Sequence, residues 1–334
     1  IFNTEATIAE VRAAVADAES LANVSIGEVC VGITGGHIKS AFSMGEHMLE
    51  SADGRVTEED REHALKNAID CPPKEISESV LVLHRIKQPC LLDGQLEEAG
   101  LNVRGRILTQ PLYWIYGNRN QILEPIKILQ DLCLEPKYPV FNGFAATIAL
   151  MDAEQRKKGG LIIDLGAGTT EFAFTHGGCI RYAGSLSIGG DHVSNDLALG
   201  LKLEIGVAEN LKTFHGRAIC DPQAKNALLP FKTPAGENKS VRFDHFQTIM
   251  ELRLKEIFQI IHETLADAGM QLGLISTLAS SVFQAQSWPF CLNHLDGICD
   301  ALKKPEFATP IGLAMYCASK MSRKKGGPLA NVFS

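Results

Sequence analysis

Apolar residues recur every three to four positions along Thr7–Ala22, where Ile8, Val11, Val15, Ala18 and Ala22 share one face. That spacing predicts a helix, and Thr7 with Glu10 has the separation of a capping box. Glu28–Ile33 reads as a strand that runs into the glycine pair Gly35–Gly36. Thr57 followed by Glu58, Glu59 and Asp60 marks a helix start, with acids near the positive end of the helix. Val80–Ile86 is a second strand. These pieces predict an α+β module of roughly ninety residues.

Further along, Arg106–Tyr116 has strand character, and Pro111 predicts that it lies at a sheet edge or carries a bulge. A helix is expected near Leu123–Leu132 with Pro125 in its first turn. A short strand around Tyr138–Phe141 and a small-residue helix, Gly143–Met151, follow. Glu154–Lys158 with Gly159–Gly160 reads as a charged turn and a domain boundary. Beyond it Leu161–Asp164, Thr170–Thr175 and Cys179–Ser185 form three consecutive strands, the last two joined by a hairpin turn at His176–Gly178. Helices are predicted at His192–Leu199, Val207–Phe214, Phe243–Ala268, Leu274–Gln284 and Thr309–Met321, with loops or short strands over Cys220–Ser240.

At 334 residues, the chain is long enough for about two domains or one large α/β unit. Its 32 Lys+Arg against 39 Asp+Glu give a net charge of −7, which argues against nucleic-acid binding because no basic face displaces phosphate counterions. No apolar run approaches the ~18–20 residues that span a bilayer. The nine cysteines include no C-x-x-C pair and read as free buried thiols rather than a disulfide frame or zinc site. The ten histidines show no metal spacing. Trp114 and Trp288 read as core aromatics, and Arg253 and Glu256 as solvated or lobe-bridging. The chain begins at Ile1 rather than Met, which suggests an incomplete gene product.

The chemistry concentrates in Asp164-Leu165-Gly166-Ala167-Gly168-Thr169-Thr170-Glu171, placed between two strands. A dinucleotide fingerprint needs a third glycine and a following helix, and a P-loop needs Gly-Lys-Ser/Thr; neither is present. A carboxylate at a strand end before a glycine turn suits phosphate binding. The amides of Gly166, Ala167 and Gly168 and the Thr169 and Thr170 hydroxyls are candidates to hold phosphate oxygens, and Asp164 to hold hydrated magnesium. Ser187-Ile188-Gly189-Gly190-Asp191 opens a helix and supplies a second glycine turn at a helix N-terminus. Glu209 and Lys212 lie three apart on the next helix, placed to flank a ribose or adenine; a surface ion pair is the alternative.

The order D-x-G-x-G-T-T, hairpin, G-G-D, helix, A-E-x-x-K resembles the actin-like ATPases, and within them the FtsA family of bacterial cell-division proteins. Val31-Gly-Ile-Thr-Gly-Gly-His-Ile-Lys39, Arg55-Val-Thr-Glu-Glu-Asp60, Leu83-His84, Asp93-Gly94-Gln95, Gly105-Arg106 and Ala308-Thr-Pro-Ile-Gly-Leu313 fall in the order of that family. The resemblance implies an α/β fold, the actin-like (ribonuclease H-like) two-lobed ATPase fold with an FtsA-type α+β inserted subdomain. By that likeness residues 1–92 form the interaction subdomain and 93–158 the rest of the first lobe. Residues 159–322 form the second lobe with the nucleotide loops. Residues 323–334 are a basic linker, with Leu329, Val332 and Phe333 starting an amphipathic membrane helix.

The same resemblance implies ATP and Mg2+ as cofactors, slow regulatory ATP turnover at most, and no catalytic residue of an ordinary enzyme. It implies as partners the FtsZ C-terminal peptide, further copies of the chain in a filament, later divisome membrane proteins and the cytoplasmic membrane, at the division site on its inner face. The acidic Glu58–Glu62 helix and the Gly35–Ser40 turn become interaction candidates. Two departures from the family predict weak or absent ATP binding. No counterpart of the first phosphate loop precedes Ile1, and Ala268–Leu274 passes from one helix to the next with Gly269 as the remnant of the adenosine-side glycine turn. A PilM-like pilus scaffold is the alternative, against which the T-G-G-H-I-K and V-T-E-E-D stretches weigh. A sugar kinase would need a catalytic base and sugar pocket for which no candidate stands out.

Overall fold

Val31 and Ile33 of the first strand, with Ile38, Tyr113, Ile115, Ile122 and Phe141, form a core to which Ala173, Ile180 and Ala183 also belong. The computed structural model describes residues 4–50, 54–96, 103–218, 226–270 and 302–325, with side chains up to Met321. The chain divides into two compact units. The described residues of Ile1–Ile162, Ala173–Ser185 and Leu292–Ser334 form the first, and those of Ile163–Phe172 and Leu186–Cys291 the second.

In the first unit, α1 (Thr4–Ala22) leads to β1 (Glu28–Ile33), which pairs in parallel with β7 (Glu135–Phe141). A second sheet contains β2 (Lys39–Met48), β3 (Val80–Lys87), the short β4 (Leu91–Leu92) and β5 (Gln95–Leu96), and the long β6 (Ile107–Asn118). Helix α2 (Glu58–Asp70) starts as expected at Thr57, whose hydroxyl accepts from the Asp60 amide at 3.2 Å while Asp60 accepts from the Thr57 amide at 2.8 Å. Asp60 also meets His47 Nε2 at 2.9 Å. These hydrogen bonds from Thr57 and His47 outweigh burial and hold the Asp60 carboxyl below the usual carboxylate range. The helix lies close against β2. Ser43 Oγ donates to the Ala68 carbonyl at 2.7 Å and accepts from the Trp114 indole at 2.8 Å, which satisfies a buried polar pair.

Pro111 does not put its strand at an edge. Strand β6 pairs with β2 from Ile107 to Tyr116 on one side and with β3 and then β4 on the other. Pro111 sits where the neighbour changes: β3 pairing ends at Leu112 and β4 pairing begins at Thr109. Its carbonyl accepts from the Gln88 amide at 3.1 Å. The missing N–H therefore falls in a gap between two short partners, where no ladder bond is lost.

Helix α3 (Arg119–Asp131) begins four residues earlier than predicted, because Asn118 caps it by accepting from the Asn120 and Gln121 amides. Pro125 consequently falls inside the helix rather than in its first turn. The charged turn at Glu154–Lys158 is a short helix, α5 (Ala153–Lys158), with a reciprocal cap between Asp152 and Gln155. Strands β8 (Gly160–Leu165), β9 (Thr170–His176) and β10 (Cys179–Leu186) form a sheet in the order β10-β9-β8. Gly177 and Gly178 turn the hairpin with φ of 64° and 82°.

Helix α4 (Asn142–Leu150) packs on the last helix, α9 (Ala308–Lys325), which follows a 3-10 turn at Pro305–Phe307. Cys30 on β1 and Cys317 on α9 are joined by a disulfide, with Cα atoms 6.9 Å apart. That corrects the expectation of free thiols at these two positions. The pairing follows from packing α9 against β1 and spans 287 residues of sequence. Among the described residues Cys71, Cys133 and Cys179 form no disulfide, and neither does Cys90, whose thiol donates to Gln110 Oε1 at 3.2 Å. Trp114 is buried as expected. Trp288, the Leu274–Gln284 helix, Gln271–Leu274 and the terminal Leu329, Val332 and Phe333 lie outside the described residues. Among the described residues no helix is long and apolar enough to cross a membrane.

His84 on β3 is buried against the Phe144 and Tyr316 rings. Its Nε2 accepts from the Phe141 amide at 3.0 Å, so the ring is neutral in the folded chain. Burial, assisted by the Lys320 charge, pushes its pKa down from 6.5 to about 3. The unfolded chain takes up this proton first as pH falls, so stability is full above 6.5 and is lost progressively towards 3. Between pH 7 and pH 5 the wild type should lose about 2 kcal/mol more than His84→Gln, measured by urea unfolding. Equal losses would contradict the neutral assignment.

Candidate functional site

The predicted phosphate residues all lie in the second unit, on two loops that interlock. Strand β8 carries Asp164 to its end, where the Gly166 amide donates to the Thr169 carbonyl at 2.9 Å and closes the turn into β9. The other loop leads into α6 (Gly190–Leu201), whose first residue lies two before the predicted start. Gly190 donates its amide to the Gly166 carbonyl at 2.9 Å, and Asp191 donates to the Ala167 carbonyl at 2.8 Å. A side chain at Gly189 would put its Cβ 2.5 Å from both of those carbonyl oxygens. Only glycine permits this approach.

This interlock changes the roles expected of four residues. Gly190 and Asp191 use their helix-terminal amides to hold the first loop rather than to bind phosphate. Thr170 is fully buried, and its hydroxyl donates to the Ile188 carbonyl at 2.7 Å. It ties the loops together and is not presented to a ligand. Gly189 is the spacer that lets them meet. The Ala167 and Gly168 amides of the first loop take no part in this interlock. Among the described residues the Ala167 and Gly168 amides have no hydrogen-bond partner, and the space beside Gly168 is open.

Glu209 and Lys212 sit on α7 (Ile205–His215) and face α6. Lys212 Nζ donates to Glu209 Oε2 at 2.6 Å and to the Gly190 carbonyl at 3.0 Å. Ser194 Oγ also donates to Glu209 Oε2. Hydrogen bonds from Lys212 and then Ser194 hold the Glu209 carboxyl below its ordinary range. The pair is thus an inter-helix brace as well as a ligand candidate, and it adjoins a depression of about 240 Å3 lined by Asp191, Ser194, Ile205, Gly206 and Glu209.

Two contacts escaped sequence reasoning. His192 Nδ1 accepts from the Gly189 amide at 3.1 Å and caps α6. Arg253 on α8 (Phe243–Asp267) grips Asp196 of α6 with Nε and Nη2 at 2.5 and 3.0 Å. Arg253 therefore braces α8 to α6 inside the second unit. A helical wheel of α6 places Asp196 outward, but nothing in the sequence marks its partner.

Among the described residues no group of three or more His, Cys, Asp or Glu converges as a metal cage. Magnesium suits such a site, since it commonly takes one or two carboxylates together with substrate phosphates and water. Asp164 at the strand end, the open amides of the turn and the anionic ligand they would hold form a donor set of that kind.

The paired glycine loops, with a strand hairpin on one side and a helix on the other, define an actin-like ATPase fold. A solved PilM-PilN type IV pilus biogenesis complex shares it, with a TM-score of 0.51 at 15% identity over 83% of this chain and 76% of that one. Beyond the fold, the chain is similar in sequence to cell division protein FtsA. The model of the family described as cell division protein FtsA matches residues 161–312. FtsA of Neisseria meningitidis is 26% identical, and that of Pseudomonas aeruginosa 25%, each over 96% of this chain and 80% of the relative. FtsA of Borreliella burgdorferi is 25% identical over 100% of this chain and 84% of the relative.

Proposed function

We propose that the chain is a nucleotide-responsive adaptor of cell division. In this reading ATP and Mg2+ bind the second unit, with Asp164 holding the hydrated metal and the Gly166–Thr169 turn holding phosphate oxygens. Gly189, Gly190, Asp191 and Thr170 fix the turn, and Glu209 and Lys212 face the nucleoside. The interlocking of the two loops through Gly189 carries the proposal, because it preorganises a turn whose Ala167 and Gly168 amides remain open. Turnover is slow, and nucleotide binding serves to bias conformation rather than to drive metabolic flux.

The kinship with FtsA supports the finer assignments: self-association into filaments, tethering of FtsZ through its C-terminal peptide, recruitment of later division proteins, and attachment at the inner face of the cytoplasmic membrane. The module built on β2, β6 and α2 is assigned the protein contacts, through the acidic Glu58–Glu62 start of α2 and the Gly35–Ser40 turn. The pilus-scaffold reading rests on fold alone, whereas the sequence kinship extends along nearly the whole chain.

The test is co-sedimentation of the purified protein with FtsZ polymers and acidic liposomes, alongside an ATP titration. Pelleting with FtsZ, blocked by excess FtsZ C-terminal peptide, is expected. Failure to pellet with either and failure to bind ATP would overturn the proposal. Within the site, Lys212→Met should weaken ATP binding about tenfold by loosening Glu209 and Gly190 together. Fluorescence titration with a labelled ATP reads this directly.

A further inference from the structure

Ser194 stands one helical turn beyond Gly190 on α6 and is 2% exposed. Its hydroxyl has one proton and two acceptors within reach, Glu209 Oε2 and the Gly190 carbonyl at 3.3 Å. The carboxylate is the stronger acceptor, because charge assistance roughly doubles such a bond. Lys212 Nζ spends one donor on the same Oε2 and a second on the Gly190 carbonyl. Oε2 is therefore held from two sides. Oε1 meets only the exposed Thr213 hydroxyl among the described residues, at 3.4 Å.

An ionised carboxylate accepts hydrogen bonds and donates none. With Oε2 consumed, Glu209 can offer Oε1 to a ligand hydroxyl beside the depression it lines with Asp191 and Ser194. Two acidic side chains there would repel a phosphate and favour the neutral, hydroxyl-bearing part of a nucleotide. The Gly190 carbonyl that Lys212 grips belongs to the residue whose amide holds Gly166. The carboxylate is thereby kept at a fixed distance from the phosphate turn.

We propose that Ser194 is a positioning residue that locks Glu209 as the acceptor for the sugar hydroxyls of the nucleotide, and so sets a preference for ribonucleotides over deoxyribonucleotides. The inference rests on the ATP-binding reading given above. Sequence spacing alone places Ser194 four residues after Gly190, on the same face of α6.

The test is binding of ATP and of 2′-deoxy-ATP and 3′-deoxy-ATP by the full chain with magnesium, in wild type and in Ser194→Ala, Ser194→Thr and Ser194→Val. Thr and Val have nearly the same shape, and only Thr keeps the hydroxyl, so the pair separates positioning from packing. Thermal melts confirm that each variant is folded. Wild type and Ser194→Thr should prefer ATP over one of the deoxy forms by about tenfold. In Ser194→Ala and Ser194→Val that preference should collapse to about twofold or less, with the deoxynucleotide affinity little changed. Retention of the wild-type preference in Ser194→Val, or an equal weakening of all three nucleotides, would overturn the positioning role while leaving ATP binding intact. A wild-type chain that binds no ATP would overturn the ATP-binding reading, and this inference with it.

Discussion

Gly189→Ala should lower ATP affinity about 100-fold while the chain stays folded, because two ligand-organising contacts are lost at once. Its new methyl would lie 2.5 Å from the Gly166 and Ala167 carbonyl oxygens and 2.8 Å from the Ala167 carbonyl carbon. These are backbone atoms and cannot rotate away. The loops must part by roughly an ångström, and the Gly190–Gly166 and Asp191–Ala167 hydrogen bonds lengthen together. Overpacking of this kind costs about 1–3 kcal/mol of stability, so melting temperature should fall only modestly. Gly27→Ala, at a position with open space around it, is the control. An unchanged ATP affinity in Gly189→Ala would show that the loop interlock does not organise the binding turn.

Gly312→Ala should produce the largest loss of stability of any single methyl added to the first unit. The added Cβ would sit 1.8 Å from the Ala145 carbonyl oxygen and 2.4 Å from its carbon, where α9 crosses α4. Neither partner is a flexible side chain, so the helices must separate along a contact that also buries Ala308 and Ala149. A destabilisation of about 3 kcal/mol is expected, at the upper end for inserted methyls. At about 2–4 °C per kcal/mol for units of this size, melting should fall by roughly 6–12 °C. Gly206→Ala, in the first turn of α7 with nothing near its Cβ, should change stability by no more than about 1 kcal/mol. Similar melting of Gly312→Ala and wild type would mean that α9 does not pack on α4 this closely.

Most elements were legible because their signals are local. The Glu28–Ile33 strand matches its predicted limits, Thr57 caps α2 as its sequence neighbours require, and the paired glycines turn the β9–β10 hairpin. What escaped depends on partners distant in sequence. Pro111 tolerates an interior strand only because β3 ends and β4 begins beside it. Cys30 meets Cys317 only once α9 docks. The site shows the same division. The glycines and the Glu209–Lys212 spacing were visible, but their roles were not, since whether Gly190 gives its amide to a phosphate or to Gly166 depends on how close two loops come. Thr170 shows this most clearly, being adjacent to Thr169 in sequence yet fully buried at the start of β9, where its hydroxyl meets the Ile188 carbonyl.

The central claim is that the interlocked loops of the second unit hold ATP with magnesium. A calorimetric titration of ATP into the full chain, with magnesium present and then chelated, tests it most directly. Saturable binding at one site, weak in absolute terms, further weakened by chelation and lost in Gly189→Ala, is the expected result. Absence of saturable binding, or binding that neither magnesium nor Gly189→Ala alters, would contradict it.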